Sequence, residues 1–402
     1  MSHNIFTMIN VLASLFLVFV TITELHAECS FSLNEHVPKT AIITSFTQQN
    51  QILYPNHTNT LKLATGGRIR LTCGDQYFKK KFKKSSKTKE VVARCNSKDI
   101  VNVENERIRL RELECEDFPS STPHKKTEKK CHLNNTLFDI AFEVRGGSLD
   151  SIRACFDEPN QDSIYTWYDT SMLPTGHQSN VKRPQFVHDD LYRFPVSEVY
   201  TVHYQHDWFA KLLKSQKKAD EYIKNDGQHF LSRGHLTAKA DMVYGSEQSA
   251  TFHYINVAPQ WQSFNGGNWN RVEESVRKEI QKKDKRYRVV TGTHGIATLP
   301  DVNNNEQELY LYEDENKNPL LKVPKLFWKL VYDMNQDQGV VIIGVNNPYL
   351  KKIPSDYIIC KNICNKIRWL PEFNKDNSKG YIYCCEMDEF LKVTGFDKSF
   401  MN

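Results

Sequence analysis

Ten cysteines constrain this chain more than any other feature: Cys29, Cys73, Cys95, Cys115, Cys131, Cys155, Cys360, Cys364, Cys384 and Cys385. All lie beyond an apolar run, VLASLFLVFVTI at Val11–Ile22, that is followed by polar residues and a Leu25-His26-Ala27 stretch suited to cleavage after Ala27. The run is shorter than the about 20 apolar residues a spanning helix needs, so residues 1–27 read as a signal peptide, with a signal anchor as the other reading. An even number of cysteines in a secreted chain implies disulfides. Six fall before residue 156 and four after 359, which predicts one group tying down the N-terminal part and another stapling the C-terminal edge. The spacing of Cys360 and Cys364 with the Cys384-Cys385 doublet fits no zinc ribbon, and it leaves the pairing open. Two glycosylation sequons, at Asn56 and Asn134, agree with an extracellular, secreted location. Nothing after the first run reads as a membrane span.

At 402 residues the chain exceeds the usual single domain, and its 39% hydrophobic content is ample for a packed core. From residue 28 to about 150, short strand-like runs such as GRIRLTC and EVVARC alternate with lysine-rich or Ser/Thr/Pro-rich turns, predicting a small β-rich, disulfide-braced domain. EDFPSSTPHKKTEKK, Glu116–Lys130, reads as an exposed loop. Beyond residue 150 helices and strands mix. HDWFAKLLKSQKKADEYI reads as one helix, and YRVVTGTHGIA, PKLFWKLVYD and GVVIIGV as strands, an α+β pattern.

The net charge of +5 is modest but uneven. FKKKFKKSSKTK, Phe78–Lys89, carries seven lysines and no acid, and HKKTEKK adds four more. Such runs are either solvated loops or patches that attract polyanions by counterion release. On the second reading Lys79, Lys80, Lys81, Lys83 and Lys84 are candidate nucleic-acid contacts, with Phe78 and Phe82 interleaved.

Chemistry concentrates in the 53 residues from His229 to Gln281. Arg233-Gly234-His235 is followed by a strand-like ATFHYINVAP, a Gly/Asn-rich loop QSFNGGN, and WNRVEESVRKEI. In that last stretch Trp269, Val272, Val276 and Ile280 recur at helical spacing and predict a core-facing stripe. Glu273 and Arg277, four apart, share another face of the same helix. Asn265 sits just upstream, where backbone N–H groups favour phosphate. These residue types suit phosphodiester hydrolysis. A neutral imidazole accepts a proton from water near pH 7. Mg²⁺ keeps several waters and binds substrate phosphate, so one side-chain amide suffices as protein ligand. Arginines supply forked donors to phosphate oxygens, and a nearby carboxylate orients the ion's waters. Trp261 and Trp269 read as core, and His203, His206, His253 and His294 show no partner pattern.

SRGH, INVAPQ followed by FNGGNW, and RVEESVR stand in the order and nearly the spacing of the DNA/RNA non-specific endonucleases, the ββα-metal nucleases, which this chain resembles over residues 150–396. VVTGTHG and VPKLFWKLVYD match secondary segments of that family, and its arthropod secreted branch is the nearest in flavour. The resemblance implies a ββα-metal nuclease core with a mixed or antiparallel sheet and flanking helices over 151–396, preceded by the β-rich domain at 28–150. It implies His235 as general base, Asn265 as ligand of Mg²⁺ (Mn²⁺ as substitute), and Asn256 as a supporting catalytic residue. It further implies Glu273 near the metal's waters, Arg277 at the phosphate or leaving group, and Arg233 preceding Gly-His. The implied activity is Mg²⁺-dependent hydrolysis of double-stranded DNA or RNA with little sequence preference, leaving 5′-phosphate ends. Ser232 departs from the family's usual Asp at that position. A secreted nucleic-acid-binding protein of the same fold with little turnover is the alternative. Oligomeric state is not written in the sequence.

Overall fold

The computed structural model describes residues 28–48, 51–83, 87–170, 176–281 and 285–401. The expected signal peptide and Lys84 lie outside the described residues. Eight strands form the central sheet, in the order Ile382–Glu386, Gln338–Val345, Pro324–Asp333, Tyr287–Ile296, Asp162–Asp169, Gly147–Asp157, Asn135–Val144 and Ser121–Cys131. Every neighbouring pair is antiparallel, so the fold is α+β around an antiparallel sheet.

Both faces are covered at the centre of this sheet, which is why Tyr287–Ile296, Pro324–Asp333 and Gln338–Val345 read as nearly continuous apolar runs. Side chains alternate across a strand. Val289, Phe327, Ile342 and Cys384 therefore enter one core, shared with the N-terminal strands and the site helix. Val290, Trp328, Ile343 and Cys385 enter a second, closed by helix Met387–Thr394 with Phe396 and Phe400. The same alternation explains the cysteine doublet. Adjacent thiols point to opposite faces, so Cys384 bonds Cys364 while Cys385 bonds Cys360. The other pairs are Cys29–Cys95, Cys73–Cys115 and Cys131–Cys155, and no free cysteine remains to hold zinc.

The N-terminal region builds a second antiparallel sheet, Ile42–Ser45, Arg68–Thr72, Glu90–Ser97, Ile100–Val103 and Glu106–Arg109, braced by the first two of those bridges. Phe78 and Phe82, 2% and 4% exposed, pack edge to face in its core, so the aromatics of the lysine run are not available to stack on bases.

Three local expectations are corrected. Glu116–Lys130 is not simply a loop: Ser121–Cys131 is the sheet's edge strand, exposed and lysine-rich, a composition that discourages pairing with other chains. The expected single helix is two, Val202–Leu212 and Gln216–Tyr222, because Lys214 takes a left-handed φ of 56° and Ser215 caps the second by accepting from the Lys218 N–H. Within ATFHYINVAP only Val257–Trp261 is strand; Gly245–Ala250 is a short helix before it. Strand Gly147–Asp157 spans residue 150, with a bulge after Asp150, and pairs with Asn135–Val144 on one side and, from Arg153, with Asp162–Asp169 on the other.

Candidate active site

A two-stranded ribbon and one helix carry the site. Strand Leu231–His235 pairs antiparallel with Val257–Trp261, setting His235 opposite Val257. Asn346 ties the ribbon to the central sheet, its Oδ1 accepting from the Trp261 N–H at 3.0 Å and its Nδ2 donating to the Pro259 carbonyl at 3.1 Å. The Gly/Asn-rich segment is no open loop. Gln262–Phe264 and Asn265–Trp269 are helical turns that run directly into helix Asn270–Ile280, with Trp269, Val272 and Val276 buried as the periodicity predicted. Glycine is required inside Arg-Gly-His by close approach: a Cβ on Gly234 would stand 2.5 Å from Gln260 Cβ.

These elements line an open cleft of about 740 Å³ that brings together Ser232, Arg233, His235, Asn265, Glu273 and Arg277, with Arg183, Lys239 and Gln178 across from them. His235 is clamped between Phe186 and Phe252, ring centroids 5.3 and 5.0 Å away. Burial and then the Arg183 guanidinium push its pKa down to about 3, which holds the imidazole neutral. Its Nε2 is shut from solvent and has no hydrogen-bond partner among the described residues.

Asn265 Nδ2 donates to Ser232 Oγ at 3.0 Å, and that hydroxyl donates on to the Gln260 carbonyl at 2.9 Å. The amide is thereby turned with its nitrogen to the protein, and among the described residues its oxygen has no hydrogen-bond donor. Among the described residues no group of three or more His, Cys, Asp or Glu could chelate a metal. The donor set thus fits a hard, largely hydrated ion on one amide oxygen, and does not fit a protein-caged metal.

Arg277 is anchored through one nitrogen: Nη1 donates to buried Asp241 at 2.8 Å and stands 4.0 Å from Glu273. Lys329, fully buried, lies 3.7 Å from the second Asp241 oxygen and donates to Thr291 Oγ1 at 2.6 Å. Lys329 and Arg277 hold the Asp241 carboxyl below its ordinary value despite its burial. Burial pushes Glu273 up to about 7, Lys329 opposing and Asp241 adding to the shift. Arg233 is caged by Phe186, Tyr200 and Tyr254, each ring centroid within 5.6 Å, and donates to the Tyr254 hydroxyl and the Ser197 carbonyl.

Asn256 lies apart from the other candidates. It is fully buried, does not line the cleft, and uses its whole amide on the protein. Its Nδ2 donates to the Thr237 and Thr251 carbonyls, and its Oδ1 accepts from the Thr237 N–H and the Thr166 hydroxyl. It therefore holds the turn after His235 in place. Lys79, Lys81 and Lys83 are exposed and Lys80 pairs with Glu106 at 3.8 Å; none of the four lines the cleft.

The family model of the DNA/RNA non-specific endonucleases matches residues 149–390, more than half of the chain. The chain belongs to that family. It is 32% identical over 282 residues to a salivary endonuclease of Lutzomyia longipalpis, covering 68% of this chain but only 64% of that relative. It is 24% identical over 392 residues to the salivary protein Tsal1 of Glossina morsitans morsitans, covering 92% of this chain and 91% of the other, so that likeness includes the N-terminal region. The solved EndoG/EndoGI complex aligns at 14% identity with a TM-score of 0.38 over 66% of this chain and 87% of that one, too distant to carry further argument.

Sequence reasoning missed Arg183, Lys239, Asp241 and Lys329. Lys329 left a signal, being a charge with apolar residues on both sides in LFWKLVY. Asp241 and the two cleft cations left none, since surface charges of the same kind are everywhere in the chain.

Proposed function

We propose that this protein is a secreted, metal-dependent endonuclease that hydrolyses the phosphodiester bonds of double-stranded DNA, RNA or both with little sequence preference. The observation that carries the reading is the convergence of a neutral His235 and an Asn265 with an unspent amide oxygen in one cationic cleft. His235 takes a proton from water as that water attacks phosphorus in line, and the bond to the 3′ oxygen breaks to leave a 5′-phosphate end. Mg²⁺, with Mn²⁺ as a substitute, would be held through Asn265 Oδ1 and supply Lewis-acid charge at the phosphate when bound. Glu273, as the carboxylate, orients water on the same side. Arg277 meets the charge that develops on the departing oxygen. Arg183 and Lys239 draw the backbone in without reading bases.

One observation favours a second reading, a nucleic-acid binder with little turnover. An imidazole held at about 3 is a weak base, whereas general-base efficiency peaks near the working pH. An incoming phosphate anion raises that value, because an opposite charge beside the ring favours its protonated form. The decisive experiment incubates purified protein with plasmid and with double-stranded RNA, in Mg²⁺ and in EDTA, beside His235→Ala. Metal-dependent nicking that the substitution abolishes supports the enzyme. Gel-shift affinity without cleavage in the unaltered protein would replace it with the binder.

A further inference from the structure

The solvent face of the N-terminal five-stranded sheet carries an arginine ladder. Arg68 stands directly opposite Arg94, Arg94 opposite Asn102, and Asn102 opposite Arg107, so one row crosses four adjacent strands. The other face of these strands is core: Ile69, Leu71, Ala93, Val101 and Ile108 are each 5% exposed or less. Arg68, Arg94 and Arg107 are exposed, and among the described residues none of the three has a carboxylate ion-pair partner. Like charges directly opposite on neighbouring strands are destabilising, so the fold alone gives no reason for Arg68 to face Arg94. At the sheet edge Phe46 lies 3.9 Å beneath the Arg68 guanidinium and fixes it in place.

We propose that this face binds the phosphate backbone of nucleic acid, as an exosite outside the region the family model matches. Strand spacing sets the row at steps of about 5 Å and a total of about 14 Å, a track on which several phosphates of one backbone can be met. Guanidinium forks suit phosphate oxygens better than the point charges of the lysine run. The sheet is also tied to the catalytic cleft. Its edge strand starts at Ile42, just after residues 33–39, whose Leu33, Val37 and Pro38 carbonyls share the two N–H donors of Gln178 Nε2 in the cleft wall. Lys39 Nζ donates to the Asn180 carbonyl in that wall. The proposal rests on the nuclease-fold reading for its ligand class but not on turnover.

The test uses full-length His235→Ala protein and duplexes of DNA and of RNA of about 30 base pairs, with affinity measured against salt. Replacing Arg68, Arg94 and Arg107 together with glutamine is expected to weaken binding at least about tenfold and to lower the log–log salt slope by about 2.7, as three lost phosphate contacts require. The matching triple lysine variant keeps charge and is expected to keep the slope. An unchanged affinity and slope in the folded glutamine variant, checked by an unaltered melting curve, would overturn the proposal. So would a slope change that follows Lys79, Lys81 and Lys83→Gln and not the arginines. If the glutamine variant does not melt like its parent, the lysine triple together with single Arg94→Gln decides: a slope lowered by about 0.9 in Arg94→Gln supports the exosite and an unchanged one overturns it. Because binding is read in a variant without the base, failure of cleavage by the unaltered protein leaves this result interpretable.

Discussion

Ser232 Oγ accepts a hydrogen bond from Asn265 Nδ2 at 3.0 Å, so the residue that departs from the family's usual aspartate is the one that orients the amide proposed to hold the metal. A neutral hydroxyl does the positioning without adding charge beside the metal. Ser232→Ala is expected to raise the half-saturating Mg²⁺ concentration by roughly fivefold, the worth of one hydrogen bond near 1 kcal/mol, with kcat at saturating metal little changed. Ser232→Asp, which sets a carboxylate against the site, is expected to lower it. A titration showing no metal-dependence change in either variant would reject this role.

Asp241 links Arg277 and Lys329 and raises Glu273, so its loss is visible in pH. With Glu273 pushed up to about 7, kcat/KM is expected to climb through about pH 7 as its carboxyl ionises. Asp241→Asn removes the neighbouring negative charge while Lys329 and Arg277 stay. The acid limb should then move to lower pH, and stability should fall by about 3 kcal/mol or more because two cations lose their buried partner. An acid limb that stays put would mean Glu273 does not set it.

Asn256 fills four hydrogen bonds in the core. Asn256→Ala leaves the Thr237 N–H and two carbonyls buried without partners and should cost about 3 kcal/mol or more. Thermal unfolding should show that loss, while the protein folded at low temperature should still respond to metal as the parent does. A variant of undiminished stability but abolished turnover would restore Asn256 to the chemistry.

Glu247 is 3% exposed, and burial pushes its carboxyl up to about 7, opposed by the Tyr54 hydroxyl and the Tyr244 N–H. The folded state keeps this proton to about pH 7, whereas the unfolded chain releases it near 4.5. Between those values the folded form binds more protons, so stability falls as pH rises across that window, by on the order of 3 kcal/mol from this group. Glu247→Gln should flatten the decline of Tm between pH 4.5 and 7. An equally steep decline would assign it to other groups.

What the sequence made legible was what period and local spacing encode. The stripe of Trp269, Val272 and Val276 and the strands at 287–296, 324–333 and 338–345 all follow from alternation or helical repeat. The site's nearest-neighbour members, His235, Asn265, Glu273 and Arg277, were readable because a ribbon and a helix close in sequence carry them. Arg183, Lys239 and Lys329 come from distant segments, and only tertiary packing reveals them. That Asn256 turns its amide into the core was not legible, because a motif preserves residue identity without saying whether the side chain faces the cleft or the core. The break at Lys214 was missed because the apolar pattern continues across a single left-handed residue. The Phe78 and Lys79 alternation looked like a binding strip because exposure of the aromatics cannot be read from charge.

The passage of strand Gly147–Asp157 through residue 150 decides how this molecule can be dissected. A recombinant fragment started at the family match, residue 149, would shed two whole strands of the eight-stranded sheet and the first two residues of a third. It would also strand Cys155 with a naked thiol, its bridge to Cys131 having gone with the discarded piece. Such a fragment would expose fresh sheet edges and a reactive sulfur together, the makings of intermolecular crosslinks and aggregates. Any minimal catalytic piece must begin upstream of Ser121.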